Sequence, residues 1–257
     1  LERGIEWYTK AGNQGLAIAQ FNLGSCYEEG EGVAKDLERA AEWYAKAAEQ
    51  NHVEAQFKLG VSYFFGDGVV KNYVHAVEWY TKAAEQNDAD AQYHLGLCYL
   101  TGKGAAQDFE RAVEWFTKAA EQGFVEAQAI LGTCYNNGEG VAISQERAVD
   151  WYRKAARQGM RRAAFRLGLL YQDGRGIKQD HKLAVRWYRD AAEAGLPEAQ
   201  FNLGYLYERG LGLKADGVQA AVWYRRAAIQ GEVQAYRSLG MLYAIGRSFF
   251  RAQSVLG

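Results

Sequence analysis

The sequence predicts an all-α fold: an α-α superhelix, a right-handed solenoid of about seven stacked helix-pair repeats of 36 residues each. Three observations predict it. Every tryptophan falls on one lattice (Trp7, Trp43, Trp79, Trp115, Trp151, Trp187, Trp223), each followed by tyrosine or, at Phe116, phenylalanine. A Leu-Gly pair recurs in the same register from Leu23-Gly24 to Leu239-Gly240, with a tyrosine three residues after each glycine, from Tyr27 to Tyr243. A Gly-x-Gly turn then repeats from Gly30 and Gly32 to Gly210 and Gly212. No insertion or deletion breaks the register, and a fixed period of this length is the signature of a stacked repeat array.

The first helix of each unit places Ala19, Leu23 and Tyr27 at i, i+4 and i+8, on one helical face. Gly24 sits beside that stripe. A glycine inside a helix costs ~1 kcal/mol relative to alanine, so it is expected to serve a close approach by another helix. The Gly-x-Gly turn supplies positive φ where other residues are strained. The second helix opens on Asp36, Asn72, Asp108, Ser144, Asp180 or Asp216, all good N-cap types. It places Ala40, Trp43, Tyr44, Ala47 and Ala48 on one face, small residues opposite large aromatics. It closes before Gly15, Asn51, Asn87, Gly123, Gly159, Gly195 or Gly231, residues that tolerate the left-handed C′ position. The only proline, Pro197, falls in a predicted first helical turn. The solenoid is therefore expected over residues 1–246, with partial first and last repeats. Residues 247–257 are expected to form an irregular tail or cap, because Ser248 replaces the second turn glycine and no tryptophan follows.

Composition narrows the function classes. The net charge of −1 argues against nucleic acid as principal partner. No stretch approaches a membrane span, and residues 1–10 carry charges and two aromatics, unlike a signal peptide. Cys26, Cys98 and Cys134 occupy one slot in different repeats. Neighbouring helical repeats lie roughly 8–10 Å apart, too far for a disulfide, so all three are expected to be buried free thiols. A soluble protein without disulfides, cytoplasmic or periplasmic, is the expectation. Charge is uneven: residues 1–128 sum to −9 and residues 129–257 to +8. A basic cluster runs through Arg153, Lys154, Arg157, Arg161, Arg162 and Arg166, and is read as a solvated helix face. The bipolar distribution also permits head-to-tail self-association.

The pattern A-Q-x-x-L-G-x-x-Y-x-x-G-x-G followed by W-Y-x-K-A-A-x-Q-G resembles the Sel1-like repeat family, relatives of the tetratricopeptide repeats. The resemblance covers nearly the whole chain. It implies an α-solenoid that acts as an adaptor in assembling complexes, in bacterial signalling and envelope processes, or in eukaryotic protein quality control. The cysteine pairs that bridge some secreted members are absent. Some members have been linked to β-lactam hydrolysis, but no serine here has a lysine three residues later, so Ser-x-x-Lys is missing.

Nothing else in the sequence reads as catalysis, and no cofactor or metal is expected. The histidines His52, His75, His94 and His181 occupy four different repeat slots, with no metal-binding i, i+4 pair, and are read as solvent-exposed. Carboxylates beside the tryptophans precede lysines, as in Glu42 to Lys46 and Glu78 to Lys82. They are read as helix-surface ion pairs worth ~0.3 kcal/mol each. A partner protein or peptide is instead expected on the face of the first helices, the concave face by analogy with tetratricopeptide repeats. Two adjacent slots there hold Glu28-Glu29, Asn136-Asn137, Gln172-Asp173 and Glu208-Arg209, but Phe64-Phe65 in the second repeat and Leu100-Thr101 in the third. Nearby slots hold Phe57, Val61, Tyr93 and Leu97. Large apolar residues where sister repeats carry charge mark an interaction patch, so Phe64, Phe65, Leu100, Phe57, Val61, Tyr93 and Leu97 are the candidate partner-binding residues. Phe57 and Tyr93 share a slot with Phe21, Phe165 and Phe201, which also suits packing between repeats. The competing expectation is a structural spacer or oligomerisation module with no ligand of its own.

Overall fold

The computed structural model of the protein describes residues 2–255, with side chains placed over residues 4–244. Among the described residues there are fourteen helices and no strand. They run α1 (Glu2–Asn13), α2 (Ala17–Glu29), α3 (Leu37–Ala48), α4 (Val53–Phe65), α5 (Tyr73–Glu85), α6 (Ala89–Thr101) and α7 (Phe109–Glu121), then α8 (Val125–Asn137), α9 (Gln145–Arg157), α10 (Arg161–Asp173), α11 (His181–Glu193), α12 (Pro197–Arg209), α13 (Gly217–Ile229) and α14 (Val233–Val255). The fold class is the helix-pair solenoid read from the sequence: α2 pairs with α3, α4 with α5, and so on. Two compact units are distinguished, one of residues 1–134 with 138–142, the other of residues 135–137 with 143–257. The segment 247–257 is helical as far as Val255. Its side chains, that of Ile245 and residues 256–257 lie outside the described residues.

The caps form where the sequence places them. Asp36, Asn72, Asp108, Ser144, Asp180 and Asp216 each sit in extended backbone and accept from free N–H groups of the helix they open. The left-handed closing positions include two non-glycines, Asn51 and Asn87, at φ 64° and 70°, a conformation asparagine reaches at lower cost than most residues.

Two glycine slots explain how the helices come together. A Cβ on Gly60 would lie 2.6 Å from the Tyr80 ring, and one on Gly204 2.8 Å from Tyr224. The missing side chain is what lets the second-helix aromatic ring lie flat on the first helix. The second turn glycine has a different task. A Cβ on Gly68 would strike the backbone of Leu37, and one on Gly104 that of Tyr73, each the first residue of the preceding repeat's second helix. Each turn is thus seated directly on backbone of the repeat before it.

A buried polar ladder pins the stack. The Gln56 side-chain amide donates to the Ala48 carbonyl at 3.2 Å, and its oxygen accepts from Gln86 at 2.7 Å. Gln92 repeats this with Ala84 and Gln122, and Gln200 with Ala192 and Gln230. In the repeat that begins at α10 both members are lost together, as Ala164 and Ala194, and the Arg161 guanidinium donates to the Ala194 carbonyl at 3.1 Å. Removing one member alone would leave a buried amide unsatisfied, which costs about 1–3 kcal/mol; removing both does not.

The tryptophan-associated lysines differ from expectation. No Glu42–Lys46 or Glu78–Lys82 ion pair forms among the described residues. The ammonium groups lie instead over indole rings, Lys46 at 3.9 Å from the Trp43 centroid and Lys82 at 3.7 Å from Trp79. The i, i+3 spacing brings each lysine onto a half-buried ring, and a cation–π contact of about 0.5–1 kcal/mol outweighs an exposed ion pair. The basic cluster of the second unit is also partly engaged. Arg153 bonds Asp150 and Tyr171, Lys154 covers Trp151, and Arg161 holds Ala194.

Candidate partner-binding surface

All seven candidate residues lie on α4 and α6 in the first unit, and the structure separates them by exposure. Phe57, Val61 and Phe64 are half-buried and pack against the cluster formed by Tyr80, Ala83, Leu95 and Cys98. The Phe57 ring lies 5.9 Å from Tyr80 and 5.4 Å from His94. Tyr93 is half-buried and stacks on Phe124 at 4.7 Å. Leu97 and Leu100 are half-buried. Phe65 alone of the seven is an exposed group, 57% open to solvent.

The reading of all four histidines as solvent-exposed is corrected. His75 is exposed, but His52 and His181 are half-buried, and His52 stacks on Phe21 at 4.8 Å. His94 sits against Tyr80 and Phe57, and burial holds its pKa below the ordinary imidazole value despite the opposing charge of Asp90. The rings of Phe57 and Tyr80 in the preceding repeat cover His94. The cysteines are free; Cys98 and Cys134 are buried, with thiols pushed up to about 11 chiefly by burial, while Cys26 is half-buried. No group of three or more His, Cys, Asp or Glu side chains among the described residues is placed to hold a metal ion. No helix among them is long and apolar enough to cross a membrane.

The slot of Phe64 has a job that sequence reasoning missed. Sixteen residues after it stands the second-helix tyrosine, and in sister repeats the slot supplies that hydroxyl with an acceptor. Tyr44 donates to Glu28 at 2.5 Å, Tyr188 to Gln172 at 3.1 Å and Tyr224 to Glu208 at 2.6 Å. Burial would raise the Glu28 pKa, but the bonds from Lys58 and Tyr44 hold it below the usual carboxylate value. Leu100 offers no acceptor, and its partner position holds Phe116, which has no hydroxyl. Phe64 offers none either, yet Tyr80 keeps its hydroxyl, fully buried and without a hydrogen-bond partner among the described residues. The Phe64 ring instead meets Tyr73 at 5.0 Å and Phe65 at 5.1 Å. The signal was available in the sequence as a pairing of slots, visible only once the tyrosine and its acceptor are known to touch.

The repeat pattern and this packing agree with a family comparison. The Sel1 repeat profile matches residues 1–16, 17–52, 53–88, 89–124, 125–160, 161–196 and 197–232. The chain belongs to the Sel1 repeat family. Among solved structures it is similar to a protective antigen present in uropathogenic Escherichia coli strains displaying an SLR fold, with 36% identity over 94% of this chain and a TM-score of 0.89. The chain spans about half of that antigen, 52% of its length. It is also similar to a Sel1 repeat protein from Oxalobacter formigenes, with 36% identity, a TM-score of 0.71, and coverage of 88% of this chain and 95% of that one. No curated protein matches the chain. Sel1 repeat proteins are generally non-catalytic protein-interaction scaffolds.

Proposed function

We propose that this Sel1 repeat chain is a protein-interaction scaffold that holds a segment of a partner on the first-helix face of its first unit. Phe65 carries the reading. It is an aromatic side chain left 57% exposed at the end of α4, in a slot filled elsewhere by Glu29, Thr101, Asn137, Asp173 and Arg209 and, in the last repeat, by Ile245. Exposed aromatics with polar equivalents are the residues that become interface anchors when a partner desolvates them. Phe64 packs against Phe65 at 5.1 Å, and the half-buried Phe57, Val61, Tyr93, Leu97 and Leu100 of α4 and α6 are the further residues this reading assigns to the surface.

The test is panning of a displayed random-peptide library against the parent chain and its Phe65→Glu variant, with circular dichroism confirming the helical signal of both. Because Phe65 is exposed, the substitution leaves the core intact. Peptides retained by the parent and lost by the folded variant support the scaffold reading. Equal retention by both, or none by either, removes the site and favours a spacer or oligomerisation module.

A further inference from the structure

We infer that the turn corner of the second repeat binds an acidic peptide segment, one apolar side chain lying on Phe65 and a neighbouring carboxylate bridging Lys71 and Lys103. The inference rests on the reading of the chain as a partner-binding scaffold and adds the chemistry of the partner.

Backbone geometry gathers the parts. Gly66, at φ +86°, folds the chain back so that the Lys71 Cβ would lie 3.2 Å from a Cβ on Gly66 itself. Lys71 is thereby brought beside the end of α4, where Phe65 stands. Gly104 sits on the Tyr73 backbone, and this brings the next turn, with Lys103, over the start of α5. The result is an aromatic group of Phe64, Phe65 and Tyr73 with two ammonium groups above it. Lys71 lies 5.2 Å from the Tyr73 centroid, and Lys103 lies 5.6 Å from Phe64 and 5.7 Å from Tyr73. On the same turn Val70 is 88% exposed.

Charge decides the occupant. Neither Lys71 nor Lys103 has a carboxylate ion-pair partner among the described residues, although Asp67 lies on the same turn. Both ammonium groups lie over ring faces on exposed side chains, where a carboxylate from outside can reach them. They stand out as positive within a stretch, residues 1–128, whose net charge is −9. That background repels an extended polyanion such as nucleic acid or an anionic membrane, and it leaves a local acidic group on an otherwise apolar segment as the fitting ligand. The unmatched Tyr80 hydroxyl points the same way. Phe64 completes the aromatic group at the expense of the hydrogen bond that its slot supplies in sister repeats, and locally unfavourable choices of this kind gather at functional surfaces.

The experiment uses the displayed library on the full chain and two variants, Phe65→Glu and Lys71→Glu with Lys103→Glu, the latter rechecked with each selected peptide carrying Lys in place of its acid. Selected peptides should pair an aromatic or aliphatic residue with a nearby Asp or Glu. The double charge reversal should weaken them about tenfold, and the acid-to-lysine peptide should recover binding on the reversed variant. Peptides that need Phe65 but carry no acid and tolerate the charge reversal overturn this inference and leave the scaffold reading standing. Failure to select any peptide, with binding instead to vesicles containing an anionic lipid, overturns both.

Discussion

The hydroxyl slot makes a sign prediction within one protein. Tyr44, Tyr80, Tyr188 and Tyr224 occupy equivalent positions, are all nearly or wholly buried, and differ chiefly in what their hydroxyls meet. Tyr44→Phe and Tyr224→Phe remove bonds to the carboxylates of Glu28 and Glu208. Bonds to charged groups are worth about 1.5–3 kcal/mol, reduced here toward 1–2 because both carboxylates are only partly buried. Tyr188→Phe removes a neutral bond to Gln172, worth about 0.5–1.5 kcal/mol. Tyr80→Phe removes a hydroxyl buried with no partner among the described residues, and with it a desolvation cost of about 1–3 kcal/mol. Three variants should therefore lower the urea midpoint and the fourth should raise it, at unchanged slope. Tryptophan fluorescence and far-ultraviolet circular dichroism must give coincident transitions, since repeat arrays can lose cooperativity. A double-mutant cycle sharpens the test. Phe64→Gln restores the kind of acceptor that Tyr188 has, so in that background Tyr80→Phe should become destabilising, with a coupling of about 0.5–1.5 kcal/mol. If Tyr80→Phe destabilises the parent as Tyr188→Phe does, the hydroxyl is already bonded, by an internal water for example, and the account of Phe64 as an unmatched replacement fails.

Other consequences follow from the packing. Gln56→Ala should destabilise by about 0.5–1.5 kcal/mol because it removes the bonds that Gln56 makes to the Ala48 carbonyl and the Gln86 amide, both of which keep a second partner, while adding Gln86→Ala should cost little more; chemical denaturation of the single and double variants measures it. Gly60→Ala should destabilise strongly, its Cβ falling 2.6 Å from the Tyr80 ring, whereas Gly217→Ala, with nothing within 4 Å, should be neutral or slightly stabilising in the same thermal melts. Burial lowers the His94 pKa in the folded state, so the unfolded chain binds more protons between the folded and unfolded values. Stability is then fully present above the unfolded pKa near 6.5 and declines as pH falls through the folded value, and His94→Gln should flatten that slope in urea midpoints taken across the acidic range. Native Cys98 and Cys134, with thiols at about 11 and little access, should react with a thiol reagent far more slowly than half-buried Cys26, and all three should react at once in denaturant.

Most of the fold was legible because the repeat acts as its own alignment. The caps at Asp36 and Asn72, the left-handed Asn51 and Asn87, and the Gly24–Tyr44 contact depend on backbone geometry that one residue type satisfies, so each left a fixed mark on the sequence. The surface was legible only in outline. Apolar residues at Phe57 and Phe65 look alike in a sequence, yet one packs on Tyr80 and His94 from the middle of α4 while the other, the last residue of that helix, stays open. His94 and the lysines over tryptophan were misread for a related reason. Their partners come from the neighbouring repeat or from i−3 on the same helix, and a slot-by-slot reading does not say which side chain is nearer.

The manner in which slots change distinguishes packing from function more sharply than the residues themselves. Ala164 and Ala194 replace both members of the glutamine ladder, and Leu100 stands opposite Phe116, which has no hydroxyl to satisfy. In each case the loss on one side is matched on the other, and the interior remains satisfied. Phe64 is not matched: Tyr80 keeps a hydroxyl that has lost its acceptor. Packing alone would favour restoring the acceptor or replacing the tyrosine by phenylalanine, as position 116 demonstrates within the same chain. What the unmatched change does provide is a ring against Tyr73 and Phe65, under Lys103. Phe64 thus trades a buried hydrogen bond for half-buried ring contacts beside the exposed Phe65, the kind of local inconsistency that sequences carry at functional surfaces.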